Sequence, residues 1–202
     1  MNSQGPGDRV EHMYLFFDTE TTGVPRNYKA PLSDLDNWPR LVQLAWSLCD
    51  ETGAELAGGE HIVRPDGFVI PAGATRVHGI TTGRALSEGV ALTEALDALI
   101  ADMQRARLLV AHNMPFDEKI VGAEFLRSGY PNHLETKPRC CTMQAATDYC
   151  QLPGRYGYKW PSLQELHGKL FGEAFPEAHH ALADVRACAR CFFELKRLNI
   201  LA

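Results

Sequence analysis

Residues Met13-Tyr14-Leu15-Phe16-Phe17 form an unbroken apolar run that stops at Asp18. A strand with one wet face alternates apolar and polar residues, whereas a strand apolar on both sides must be covered on both faces. The run therefore predicts a central strand, and its polar end predicts a site where chain and solvent meet. Helical and extended patterns alternate through the rest of the 202 residues. Together they imply an α/β fold in which a mixed sheet is flanked by helices.

After a Pro/Asn/Asp-containing loop over about residues 25–39, Leu41 to Leu48 reads as a second strand, with Val42, Leu44, Trp46 and Leu48 on one face. Asp50-Glu51-Thr52-Gly53 is a turn signal, and Glu60 to Arg64 is expected to return as the third strand of an antiparallel meander. Leu92, Leu96, Leu99, Ile100 and Met103 recur at helical spacing ahead of a short buried strand, Leu108 to Ala111. From Pro115, the residues Phe116, Ile120, Ala123 and Leu126 predict a further helix with proline in its first turn. Ser162 and Glu165 fit a capping box, and a last helix is expected from Ala181 to Leu198 with a stripe of Ala181, Val185, Cys188, Phe192 and Leu195 turned inward.

Three acidic patches fall at element boundaries. Asp18 and Glu20, two residues apart at the end of the first strand, point the same way in extended geometry. Asp117 lies in the first turn of a helix after His112-Asn113-Met114-Pro115-Phe116, where the helix dipole favours an anion. Asp184 follows His179-His180-Ala181-Leu182-Ala183 at the start of the final helix. Each patch alone has an ordinary structural reading as a turn, a cap or a polar surface. Their order along the chain is what carries chemistry.

D-x-E, then H-N-x-x-F-D, then H-x-A-L-x-D, with Leu41-Val42-Gln43-Leu44-Ala45, Val77-His78-Gly79-Ile80-Thr81 and Ser162-Leu163-Gln164-Glu165-Leu166 between them, resembles the DEDD superfamily of 3′–5′ exonucleases. The resemblance runs from about Tyr14 to Phe193 and is to the branch whose fifth site residue is histidine. It implies a ribonuclease-H-like mixed sheet and a two-metal site in which Asp18, Glu20, Asp117 and Asp184 hold two divalent cations, Mg²⁺ or Mn²⁺. Hard oxygen ligands suit those ions. It also implies release of nucleoside 5′-monophosphates. The family spacing assigns the general base to His179, five residues before Asp184. Helical-wheel geometry instead favours His180, because four residues of helix bring it within about 40° of Asp184.

The resemblance further suggests Thr19, Thr22, His78, Ile80 and Phe116 as contacts to the terminal nucleotide, each with a packing alternative. His112 is expected to support the sheet edge or the second motif's turn. A single C-x-x-C, Cys188 to Cys191, inside a helix is a poor basis for zinc, so the cysteines are expected to be reduced. Arg155, Tyr156, Tyr158, Lys159 and Trp160 form a basic-aromatic stretch suited either to stacking on bases or to a rigid loop.

A formal charge of -5, from 20 Lys+Arg against 25 Asp+Glu, argues against gripping long duplexes through a basic face. Two bound cations would neutralise the four carboxylates, so the charge is compatible with holding single-stranded DNA or RNA 3′ ends, DNA being favoured by the motifs. Trimming of RNA and a polymerase-associated binding module are the alternatives. The family's replicative subunits extend beyond the last motif to hold a polymerase, and the end of this chain soon after Asp184 favours a free-standing enzyme. Residues 1–12 are expected to form a flexible arm and residues 13–202 a single domain. The lack of a signal peptide or membrane span and the unpaired cysteine usage lead to a cytoplasmic expectation.

Overall fold

A computed structural model describes residues 12–175 and 180–201. Almost all of the expected N-terminal arm lies outside the described residues, as does His179. Five strands, β1 (Tyr14–Thr21), β2 (Leu41–Cys49), β3 (Glu55–Ile62), β4 (Leu108–Ala111) and β5 (Arg139–Cys141), form one sheet in the order β3-β2-β1-β4-β5. The β1–β2 and β2–β3 pairs are antiparallel, and β1–β4 and β4–β5 are parallel. The apolar run thus does lie at the centre of a mixed sheet.

The helices are α1 (Ala72–His78), α2 (Thr82–Glu88), α3 (Leu92–Arg105), α4 (Met114–Arg127), the short α5 (Thr142–Ala145) and α6 (Thr147–Cys150), α7 (Leu163–Phe171) and α8 (Ala181–Arg197). A two-stranded hairpin, β6 (Pro153–Gly154) with β7 (Gly157–Tyr158), precedes α7. The pleat of β1 divides the molecule into two layers. Leu15 and Phe17 pack with residues of α3 and α4, such as Leu96, Leu99, Ile120 and Phe125. Tyr14 and Phe16 pack on the other side against Val185, Cys188 and Phe192 of α8. Odd residues of β1 therefore face α3 and α4, and even residues face α8.

The structure departs from the sequence pattern at three places. The third strand runs from Glu55 to Ile62, and not from Glu60 to Arg64. Most of its residues are exposed or half-buried on the sheet edge, so no apolar alternation marks it. Gly59 is required there because a Cβ would sit 2.4 Å from the Trp46 ring that lies across it. In α4 the buried position is Phe125, while Leu126 is exposed, because the helix lies flat on the sheet and turns Val121, Phe125 and Glu124 inward together. The H-G-I loop is the end of a helix: His78 closes α1, Gly79 takes the left-handed conformation at φ 75°, and Ile80 turns into the core. The capping box at Ser162 and Glu165 forms with both of its hydrogen bonds, and the inward stripe of α8 is the expected one.

Candidate active site

β1 does not stop at Phe17 but continues through the acidic pair to Thr21. That extension keeps Asp18 and Glu20 in register with Tyr14 and Phe16, on the face covered by α8. Asp184 sits in the first turn of α8, above the same face. The carboxylate oxygens of Asp18, Glu20 and Asp184 consequently lie within 4.8 Å of one another. Asp117 arrives from the opposite layer, in the first turn of α4. Its Oδ1 accepts hydrogen bonds from the Thr19 amide at 3.1 Å and from the Thr19 hydroxyl at 2.7 Å.

The turn that delivers Asp117 is tight. Asn113, the residue before α4, takes φ 82°, a left-handed conformation that asparagine tolerates better than most side chains. His112 just before it accepts from the Thr142 hydroxyl at Nδ1, 2.9 Å away, and donates from Nε2 to the Pro161 carbonyl at 3.0 Å. A carbonyl can only accept, so Nε2 carries a proton. Burial pushes its pKa down to about 4, which keeps it neutral. His112 is thus the support of the second motif that the sequence suggested.

The carboxylates of the cluster are electrostatically crowded. Burial first, then the neighbouring Asp117, Asp184 and Glu20, raise Asp18 well above the usual carboxylate range. Glu20 is lifted to about 8 by burial and by Asp184 and Asp117. Asp117 is lifted to about 7 by burial, against the two Thr19 hydrogen bonds that favour its charged form. Carboxylates with no cation between them raise one another's pKa; a divalent ion removes that repulsion. Half-buried oxygen donors gathered from two elements, with a fourth alongside, fit Mg²⁺ or Mn²⁺.

Of the two histidines, only His180 falls among the described residues. His180 is the residue before α8, in extended conformation, so the helical-wheel argument for it does not apply. Its Nε2 lies 3.4 Å from Glu60 Oε1, an atom that also accepts from Gln43 Nε2 at 2.7 Å. Of the five suggested substrate contacts, the fold itself engages three. Thr19 is buried and spends its hydroxyl on Asp117; the Thr22 hydroxyl accepts the Arg40 amide; Ile80 is buried among Val42, Ile70, Ala74 and Ala85. His78 accepts the Ile80 amide at Nδ1, so Nε2 carries the proton, buried beside the Thr21 backbone without a hydrogen bond of ordinary geometry. Phe116 is half-buried against the core.

Glu124 is the residue the sequence did not disclose. It is fully buried in α4, and its Oε1 accepts from Arg40 Nε and from the Leu41 amide, both at 2.9 Å, and meets Arg127 at 3.0 Å. It ties the helix that carries Asp117 to the start of β2. Its only signal was an acidic residue on the inward side of a helical pattern. All six cysteines are free, four of them buried.

The sequence model of a protein family described as "Exonuclease" matches residues 15–192. The chain belongs to this exonuclease family. The family is part of the DEDD superfamily, in agreement with the three motifs. No curated protein matches the chain. Among solved structures, E. coli exonuclease I in complex with a dA16 oligonucleotide aligns with a TM-score of 0.73 at 20% identity, over 92% of this chain and 41% of that one. The same enzyme with a dT13 oligonucleotide aligns at 0.73 and 20%, over 93% and 42%. Its zinc-bound complex with single-stranded DNA aligns at 0.72 and 21%, over 93% and 41%. The chain therefore spans about two fifths of the length of those proteins and shares their fold. Among the described residues, no helix is long and apolar enough to cross a membrane.

Proposed function

We propose that this exonuclease removes nucleoside 5′-monophosphates from the 3′ ends of single-stranded DNA, using two divalent cations held by Asp18, Glu20, Asp117 and Asp184. The observation that carries the reading is the approach of three carboxylates, two from β1 and one from α8, to within 4.8 Å of one another. Crowding these carboxylates costs stability, and divalent cations bound between them would remove the repulsion. Support for DNA as the substrate comes from the fold neighbours, which bind single-stranded oligodeoxynucleotides.

Bound Mg²⁺ or Mn²⁺ would supply charge neutralisation and a more acidic water. Thr19 holds Asp117 in orientation through its two hydrogen bonds. His179 takes the proton from the attacking water, since an imidazole with an ordinary pKa near 6.5 is a competent base at neutral pH. Water oxygen bonds to phosphorus, the P–O3′ bond breaks, and the 3′ oxygen leaves on the shortened strand. Thr19, Thr22, His78, Ile80 and Phe116 are the proposed residues bordering the terminal nucleotide, of which Thr22 and Phe116 are the more accessible.

The test incubates the protein with 5′-labelled single-stranded DNA and RNA in Mg²⁺ or EDTA. A ladder of 3′-shortened products that requires Mg²⁺ and forms faster on DNA is expected. No metal-dependent shortening from the 3′ end would overturn the reading, as would a ladder that persists in an Asp18→Ala preparation.

A further inference from the structure

Four aromatic side chains in the described part of the molecule stand exposed: Tyr28, Tyr156, Tyr158 and Trp160. Three of these belong to one five-residue stretch, at 89%, 51% and 61% exposure. Large aromatic side chains held in water in a cluster mark a surface that meets something else. The stretch is built to hold them there. Gly154 and Gly157 pair across the β6–β7 hairpin, and a Cβ at Gly154 would meet the Gly157 carbonyl and the Lys159 amide at 3.0 Å. The Lys159 amide closes the base of the hairpin on the Leu152 carbonyl at 2.9 Å. Trp160 then precedes Pro161, whose carbonyl accepts the proton of His112 Nε2 at 3.0 Å. His112 adjoins the turn that delivers Asp117. The hairpin is therefore fastened directly to the catalytic cluster's second motif.

Its charge points to one kind of occupant. In a chain with a net charge of -5, the hairpin carries Arg155 and Lys159 and no acid between Pro153 and Trp160; Lys159 is ion-paired with Glu165 at the start of α7, so the cation it offers a ligand is Arg155. The Arg155 guanidinium lies 5.1 Å from the centre of the Tyr156 ring, a flat cation-aromatic pair matched to a base and its phosphate. We infer that the hairpin Arg155–Trp160 is a stacking platform for bases of the single strand, holding nucleotides on the 5′ side of the bond being cut. The inference rests on the exonuclease reading and adds a binding surface outside the carboxylate site. It predicts sensitivity to strand length: a strand long enough to cover both the carboxylate site and the platform should be held more tightly than a dinucleotide.

Two measurements test it. The first is the ratio of KM for a dinucleotide to KM for a 12-nucleotide strand, which a Tyr156→Ala/Trp160→Ala double variant should reduce about tenfold or more by raising KM for the long strand. Trp160→Phe should restore most of the ratio. The second is tryptophan fluorescence in EDTA: Trp38 and Trp46 are buried, so quenching on adding the 12-mer reports Trp160. Inorganic polyphosphate, which lacks bases, should leave it unchanged. If the wild type shortens strands while the variant keeps the ratio, or if polyphosphate quenches equally, the platform is overturned and the exonuclease reading stands. If quenching by the 12-mer occurs without any strand shortening, the platform is supported and the exonuclease reading fails.

Discussion

Thr19 sits between two acidic residues in sequence yet points to the other side of the sheet, where its hydroxyl and amide both donate to Asp117 Oδ1. Orientation by a neighbour of this kind commonly changes metal affinity or rate by about 10–100-fold. Thr19→Val should lower kcat by about tenfold and raise the Mg²⁺ concentration for half-maximal rate. Thr19→Ser should restore both; Mg²⁺ titration of the initial rate decides. The histidines are separable by the same assay. His179→Ala should nearly abolish turnover, while His180→Ala, which removes only the contact to Glu60, should retain most of it. The reverse result would move the base to His180. The acid pair was legible because its spacing is local. The role of Thr19 was not, because its partner lies 98 positions away.

Among the elements, α4 matters most, because it delivers Asp117 while anchoring the entry to β2 through Glu124. Removing one partner of a buried ion pair leaves the other without compensation and typically costs about 3–5 kcal/mol. Glu124→Leu should therefore lower the melting temperature far more than Arg84→Ala, which breaks an exposed pair worth at most about 1 kcal/mol. Equal losses in the two variants would remove Glu124 from its anchoring role. Elements with strong periodicity, such as α3 and α8, were readable in outline because their apolar stripe is set by the 3.6-residue turn. β3 was misplaced because an edge strand needs few apolar residues, and its glycines answer to Trp46 on the next strand. Leu126 was misassigned for a related reason. Period alone allows Phe125 or Leu126 inward, and only the way α4 lies on the sheet chooses Phe125.

For the whole molecule, the carboxylate cluster couples stability to pH and metal. Glu20 and Asp117, raised to about 8 and about 7, bind protons in the folded state that they would release in the unfolded chain at the same pH. The metal-free fold should thus be favoured below the unfolded values near 4 and lose stability as pH rises towards 8. His112 acts in the opposite sense: held at about 4, it costs stability as pH falls below its ordinary 6.5. Above pH 6.5 only the carboxylates remain in play. Between pH 6.5 and about 8 the melting temperature in EDTA should fall, and Mg²⁺ should raise it more at pH 8 than at pH 6.5. A melting temperature independent of both would count against cations at this site.

From the sequence alone came the central position of β1, the mixed α/β class and the identity of the acidic residues, because hydrophobic period and motif spacing are properties of neighbouring residues. Only the tertiary structure decided that Asp18, Glu20 and Asp184 share one layer while Asp117 comes from the other, that Ile80 belongs to the core, and that an aromatic hairpin is tied to the second motif. The physical reason is that burial, pKa and contact depend on which helix covers which face of the sheet. That choice is made by packing between residues far apart in the chain, which no local pattern records.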